Sequence, residues 1–150
     1  MPNVVLRDTI DADLEPLFEF QADPEASAMA AFPSRDMPAF RENQAKIRAT
    51  PSAIQQTIVA DGEVVGWISS WDASDERLVG YWIGRDHWGR GYATAALRAF
   101  VEVDRRRPLR AYVAEHNAAS RRVLEKCGFV FDHSERADDG VLEHILVLTT

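Results

Sequence analysis

Gly89-Arg90-Gly91, between an apolar run and an amphipathic segment, carries the clearest chemistry in the chain. Before it, Leu78 to Ile83 is almost unbroken in apolar residues and reads as a strand buried on both faces. After it, Ala93, Ala96, Leu97, Phe100 and Val101 fall on one face of a 3.6-residue period, which predicts an amphipathic helix. A helix start leaves several backbone N–H groups without partners and carries partial positive charge, so this strand-to-helix turn suits a phosphate. Glycine lets the main chain come close to a ligand and take conformations that a Cβ forbids. The stretch His87 to Leu97 therefore reads as a pyrophosphate cradle, against the plainer reading of an ordinary glycine turn. It is not a P-loop, because no lysine follows Gly91, and it is not a dinucleotide fingerprint, because Thr94 stands at the third glycine position.

The chain that must position this cradle has 150 residues, enough for one domain with a real core. Its hydrophobic share of 46% and charged share of 27% place it among ordinary globular proteins rather than disordered or membrane-spanning ones. A single cysteine rules out a disulfide framework within the chain and fits a reducing cytoplasm. The N-terminus lacks the basic-then-apolar pattern of a secretory signal, and no apolar run reaches transmembrane length. A net charge of −7 tilts against nucleic acid and toward cationic partners, while leaving room for a local basic patch that serves an anionic ligand.

In chain order, Val4 to Arg7 predicts a short first strand. A helix follows, capped by Asp11 or Asp13, with Leu14, Leu17 and Phe18 as its apolar stripe and Pro16 in its first turn. Asp23 to Arg35 reads as a loop or broken helix, and Met37, Phe40, Gln44 and Ile47 mark a second helix that Pro51 closes. Ile54 to Ala60 and Glu63 to Trp71, joined by Asp61-Gly62, form the clearest hairpin. Asp72 to Glu76 is a short polar link into the strand ending at Ile83. The helix after the cradle ends near Arg105-Arg106-Arg107, where cations suit a helix C-terminus. Leu109 to Ala114, reached through a helical crossover, should run parallel to the strand ending at Ile83. Asn117 is expected to cap a helix with Ser120, Val123, Leu124 and Cys127 inward and Gly128 at its end. Phe129 to Asp132 and Val141 to Leu148 complete a mixed α/β sheet of about seven strands. That sheet should be mostly antiparallel with one parallel pair in the middle, and helices on both faces.

A second signature adds to the cradle. Asn117-Ala118-Ala119-Ser120, followed by Lys126-Cys127-Gly128-Phe129, resembles the Asn-x-x-Ser…Lys-x-Gly-Phe segment of the GNAT superfamily of acyl-CoA-dependent N-acetyltransferases. Trp88-Gly89-Arg90-Gly91-Tyr92-Ala93-Thr94 resembles that superfamily's cofactor motif in the style of its Rim-type, ribosomal-protein acetyltransferase branch. The two occur in the superfamily's order and on the expected elements.

The resemblance implies acetyl-CoA as cosubstrate, no metal, and a splayed central parallel pair. The pantetheine arm would run along Tyr81, Trp82, Ile83 and Arg85, where that strand parts from Leu109 to Ala114. Gly80 and Gly84 are suited to a bulge that opens the gap. The pyrophosphate would rest on the N–H groups of Gly89, Arg90, Gly91, Tyr92, Ala93 and Thr94, with Arg90 and Arg85 adding charge. Asn117 would hydrogen-bond the arm near its reacting end. The chain departs from the family at Trp88, where many members have Gln or Arg, and at Ala95, where Rim-type members often have Glu. It departs most at Leu124, which stands in the place of the tyrosine many members use as general acid. Ser120, one turn earlier, is then the candidate to protonate the departing thiolate, against the plainer reading of a small residue packed under the sheet. Glu115 is the candidate general base, acting through a water, with His116 as its alternative and a solvent-facing strand end as its plain reading. Cys127 reads as core, and the four histidines lack metal-ligand spacing.

The expected activity is acetyl transfer to a primary amine, either a protein N-terminus or a small molecule, in a monomer or homodimer. A non-catalytic acyl-CoA sensor of the same fold is the alternative. A nucleic-acid or membrane partner is not expected: the overall charge is wrong and no stacking aromatics flank the arginine cluster. Met29 to Phe32, Trp82 and the last hairpin are the expected walls of the acceptor site.

Overall fold

The computed structural model describes residues 2–150. Seven strands form one sheet in the order β1-β2-β3-β4-β5-β7-β6. These are β1 (Val4–Asp8), β2 (Ile54–Ala60), β3 (Glu63–Ala73), β4 (Glu76–Ile83), β5 (Leu109–Ala114), β6 (Val130–Arg136) and β7 (Leu142–Leu148). Five helices accompany them: α1 (Leu14–Ala22), α2 (Pro24–Ala30), α3 (Met37–Ala49), α4 (Tyr92–Val103) and α5 (Ala118–Lys126). The expected mixed sheet is the one observed, antiparallel everywhere except between β4 and β5.

Asp61 and Gly62 both take positive φ, 52° and 79°, the turn that matches the twist of the β2–β3 hairpin. One side of the sheet carries the main core, where α4 sets Ala96, Leu97 and Phe100 and α5 sets Leu124 against Ile58, Ile68, Val79 and Leu109. On the other side α1 and α3 bring Leu14, Leu17 and Phe40 against Val64 and Trp67. Strand β4 differs from the doubly buried expectation. Val79 and Ile83 are buried in the main core, but Leu78, Gly80, Tyr81 and Trp82 are only half-buried, because cavities rather than helices cover part of this strand.

The central parallel pair touches at two register positions only, Arg77 with Leu109 and Leu78 with Arg110. Beyond them the strands part toward Ile83 and Ala114, so the expected splay is present. It does not arise from a bulge at Gly80 or Gly84: β4 pairs with β3 in unbroken register from Glu76 to Ile83. The irregularity lies one strand over, where Ile58 faces Gly66 and Val59 faces Val64, leaving Val65 as the extra residue. This bulge turns both Val65 and Ile68 into the main core. Gly66 permits it, since a Cβ there would lie 2.0 Å from the Trp82 carbonyl oxygen.

Three further details bear on the expectations. Asp13 does not cap α1 with its side chain; its carboxylate takes Arg7 (2.7 and 2.8 Å), Thr57 Oγ1 (2.8 Å) and the Ile10 N–H (2.9 Å). The arginine cluster closes α4 as read: Arg107 donates to the carbonyls of Val101 (3.0 Å) and Asp104 (2.9 Å), and Arg105 pairs with Glu102. Helix α5 ends in a Schellman motif, with Gly128 at φ 94° and Phe129 N–H donating to Leu124.

Candidate active site

The cradle is built by the chain leaving β4. A 3-10 turn at Arg85–His87 follows Gly84, and the Trp88 indole N–H donates to the Ile83 carbonyl at 2.8 Å, tying the loop to the end of the strand. Gly91 sits at φ 80° as the residue before α4, and no side chain caps that helix. The first hydrogen bond across the turn runs from Ala95 N–H to the Gly91 carbonyl at 3.1 Å, so the first-turn N–H groups of Tyr92, Ala93 and Thr94 are left for an anion. A Cβ on Gly91 would lie 3.3 Å from Pro2, whereas the space beside Gly89 is open.

These groups line a cavity of about 450 Å³. Tyr81, Trp82 and Ile83 form one wall, Gly89, Gly91, Tyr92, Ala93 and Thr94 the cradle end, and Asn117 and Ser120 the wall contributed by α5. Asn117 caps α5 as expected, its Oδ1 accepting from Ser120 N–H at 3.3 Å.

Four of the residues singled out in the sequence stand apart from this cavity. Arg90 is exposed beside it and does not line it. Arg85 is turned away and engaged: Asp23, which also caps α2, accepts from its Nε at 2.7 Å, and Glu25 accepts from its Nη1 at 3.0 Å. Its function is to hold α2 against the cradle loop. Glu115 is exposed and lines neither cavity, and His116 sits 2.9 Å from the Ala28 carbonyl, another tie to α2. The basic groups that do line the cradle cavity are His87 and Lys126, the latter from the second signature.

Tyr81 crosses the splay. Its hydroxyl lies 2.7 Å from Ser120 Oγ and donates to the Ser120 carbonyl at 3.2 Å. Burial pushes this phenol up to about 12, with the Ser120 hydrogen bond pulling the other way. Leu124, in contrast, is 1% exposed and belongs to the core. The chain thus has a tyrosine hydroxyl at the α5 face after all, delivered by the strand instead of the helix. The alternation of Val79, Tyr81 and Ile83, with an aromatic hydroxyl between two core residues, is the sequence signal for it.

A second cavity, about 550 Å³, opens on the α3 side of the sheet and shares Ala30, Tyr81 and Trp82 with the first. Its walls include Phe32, Trp82 and, from the last hairpin, Glu143, whereas Met29 lines the first cavity. Burial first, then the Asp139 and Glu135 carboxylates, push the Glu143 carboxyl above its ordinary range. Sequence reading missed Glu143. Its signal was an acid alternating with Ile145 and Val147 on one face of a strand.

Residues 3–130 match the family described as the acetyltransferase (GNAT) domain. The chain belongs to the GNAT acetyltransferase family. No curated protein matches the sequence. Among solved structures, a GNAT-family acetyltransferase from Bacillus anthracis superposes with a TM-score of 0.84 at 16% identity, over 99% of this chain and 96% of that one. The ribosomal L7/L12 alpha-N-protein acetyltransferase RimL, in complex with coenzyme A, gives 0.83 at 15%, over 97% and 93%. Aminoglycoside acetyltransferase AAC(6')-Ib, in complex with coenzyme A and kanamycin, gives 0.80 at 21%, over 98% and 95%. At these identities the likeness is one of fold. As a GNAT acetyltransferase the protein is acetyl-CoA-dependent, and its own residues fit that substrate. An uncapped helix start behind Gly91 suits the pyrophosphate, and the strand edges parted beyond Leu78 offer main-chain groups to a pantetheine amide.

Proposed function

We propose that this GNAT protein is an N-acetyltransferase of the Rim-type branch that moves an acetyl group from acetyl-CoA to a primary amine by direct attack. The observation that carries the reading is the meeting of two cavities at the splay, with Tyr81 and Trp82 in the walls of both. One cavity ends in an anion cradle and the other in a carboxylate, as a transfer from an anionic donor to a cationic acceptor requires.

Acetyl-CoA supplies the acetyl group already activated as a thioester. In this reading the α4 first turn, Lys126 and His87 hold the phosphates, and Asn117 and the β4 main chain hold the arm. The Ser120–Tyr81 hydroxyl pair faces the departing sulfur. A C–N bond forms and the C–S bond breaks; the acceptor ammonium gives up two protons, one ending on the thiol and one in solvent. Glu115 takes no part, being outside both cavities. Nothing covalent is assigned to Cys127, whose thiol burial pushes up. A reducing cytoplasm suits this lone cysteine, and we place the protein there, as a monomer or homodimer with no nucleic-acid or membrane partner.

Thermal unfolding with and without acetyl-CoA tests the donor half: ligand at about 100 times Kd adds roughly 2.7 kcal/mol and raises Tm visibly. Thiol release with mixed amines tests the transfer half and separates an enzyme from a non-catalytic acyl-CoA sensor. No shift at millimolar acetyl-CoA sinks the reading; a shift without thiol release selects the sensor.

A further inference from the structure

We infer that the acceptor is a primary monoamine carried on a flat apolar or aromatic body, and that Glu143 docks its ammonium group. This inference rests on the transfer reading above and names the acceptor class for the same site.

Three of the chain's four tryptophans, Trp67, Trp71 and Trp82, line the second cavity. Trp67 and Trp82 stack face to face, centroids 5.5 Å apart and planes 5° from parallel. Trp82 is held in that pose because its indole N–H donates to the Phe20 carbonyl at 3.2 Å. Phe32 meets Trp82 edge-on at 6.3 Å. Trp71 lies over β4 at Gly80, where an added Cβ would come within 3.1 Å of its ring. Rigid rings arranged this way present a flat apolar surface, with little rotamer entropy left to lose on binding.

The charges in the lining are few. Glu143 is its one acid and Arg35 its one cation. The Arg35 guanidinium covers the Phe32 ring at 5.3 Å, and its charge repels a second ammonium in the same cavity. Glu143 pairs with Ala114 across the sheet, at the wide end of the splay, and lines the second cavity, which shares Tyr81 and Trp82 with the first. Glu76 and Glu135 take Arg110 and His133 as partners, whereas among the described residues Glu143 has no ion-pair partner. A half-buried carboxylate with acids for neighbours and no cation is a ready site for one ammonium group. An aminoglycoside carries several ammonium groups, and this lining has one carboxylate to meet them.

The test is thiol release at saturating acetyl-CoA with 2-phenylethylamine, kanamycin, spermidine and a short peptide with a free N-terminus. The arylalkyl monoamine should show a kcat/KM about 100-fold above the other three, kanamycin and spermidine because a polycation meets one carboxylate, the peptide because it lacks the flat apolar body. Glu143→Gln should raise the monoamine's KM about 10- to 100-fold, the loss of one charge-assisted hydrogen bond, and leave the acetyl-CoA KM unchanged. The same variant's Tm, with and without acetyl-CoA, shows that it folds and binds donor. Turnover of kanamycin, spermidine or peptide in preference to the monoamine overturns the inference and leaves the transfer reading standing. An unchanged acceptor KM in Glu143→Gln overturns the docking role. Failure of acetyl-CoA to bind, or no turnover with any amine, overturns the transfer reading and the inference with it.

Discussion

Replacing Ser120 with alanine should lower kcat about tenfold and leave the acetyl-CoA KM unchanged. The magnitude follows from the hydroxyl pair. Tyr81 is pushed up to about 12, and an ordinary thiol titrates at about 8.5. Full proton transfer from this phenol to the departing thiolate is therefore uphill by about 3.5 units, or about 5 kcal/mol, too much to help. The pair serves instead as a hydrogen-bond donor to developing charge. One hydrogen bond to a charged acceptor is worth about 1.5–3 kcal/mol, and Ser120 Oγ already shares a 2.7 Å contact with Tyr81, which puts the loss near the lower end. Single-turnover and steady-state thiol release would measure it. Tyr81→Phe should cost about the same, and the double variant no more than a few-fold beyond either, because the two act as one chain. The ratio of wild type to Ser120→Ala should also stay flat with pH. A loss of about 10³ that narrows as pH rises would mean that Ser120 hands over a proton, and would refute this reasoning. An unchanged kcat would return Ser120 to a packing role.

Gly91→Val should abolish the acetyl-CoA-induced rise in Tm, because a β-branched residue is strained at φ 80° by about 1–2 kcal/mol and its Cβ would press on Pro2 at 3.3 Å; a folded variant with normal donor affinity would move the cradle elsewhere. Asp104→Asn should cost about 3 kcal/mol and lower Tm, since the buried Arg77 would lose its 2.9 Å ion-pair partner and keep Asp72 at 3.2 Å as its remaining carboxylate. The same carboxylate sets an acid limit. Burial alone would raise it, but hydrogen bonds from Ser70, Arg106 and Arg77 hold it at about 2, below its ordinary 3.8. Because the folded value is the lower one, its contribution of about 2 kcal/mol is whole above about pH 4 and drains away between pH 4 and 2. Denaturation midpoints across that range should fall more steeply in wild type than in Asp104→Asn; parallel curves would contradict it.

Local chemistry made most of the frame readable. Asp61-Gly62 marked the turn between β2 and β3, and Gly128 after an amphipathic face marked where α5 stops. These features depend on residues a few positions apart, so the chain announces them before it folds. The cradle was legible for the same reason, since a glycine at positive φ next to an uncapped helix is a local device. Arg85 was not. Its partner Asp23 lies 62 residues away, and an arginine beside a phosphate-binding turn looks the same in sequence whether it faces the ligand or anchors a neighbouring helix. The bulge was displaced from β4 to Val65 by a contact of the same kind, the approach of the Trp82 carbonyl to Gly66 across the sheet.

Glu115 and Glu143 show what decides such cases. Each is an acid at the end of a strand, and the alternation of Glu143 with Ile145 and Val147 puts it on a strand face without saying what that face meets. The sheet order ranks them. Inserting β7 beside β5 pairs Glu143 with Ala114 on the face that carries Trp82, while Glu115 lies just past the end of β5 and is exposed. Tyr81 obeys the same logic in the opposite direction. Helix α5 carries Leu124 in the place of a tyrosine, yet strand parity turns Tyr81 toward that helix and its phenol reaches Ser120. A hydroxyl can therefore reach the α5 face from the strand packed against it as well as from the helix itself. The splay is bordered by β4, β5, β7 and α5 together, so the groups that face it are set by the sheet order and not by any one stretch of sequence.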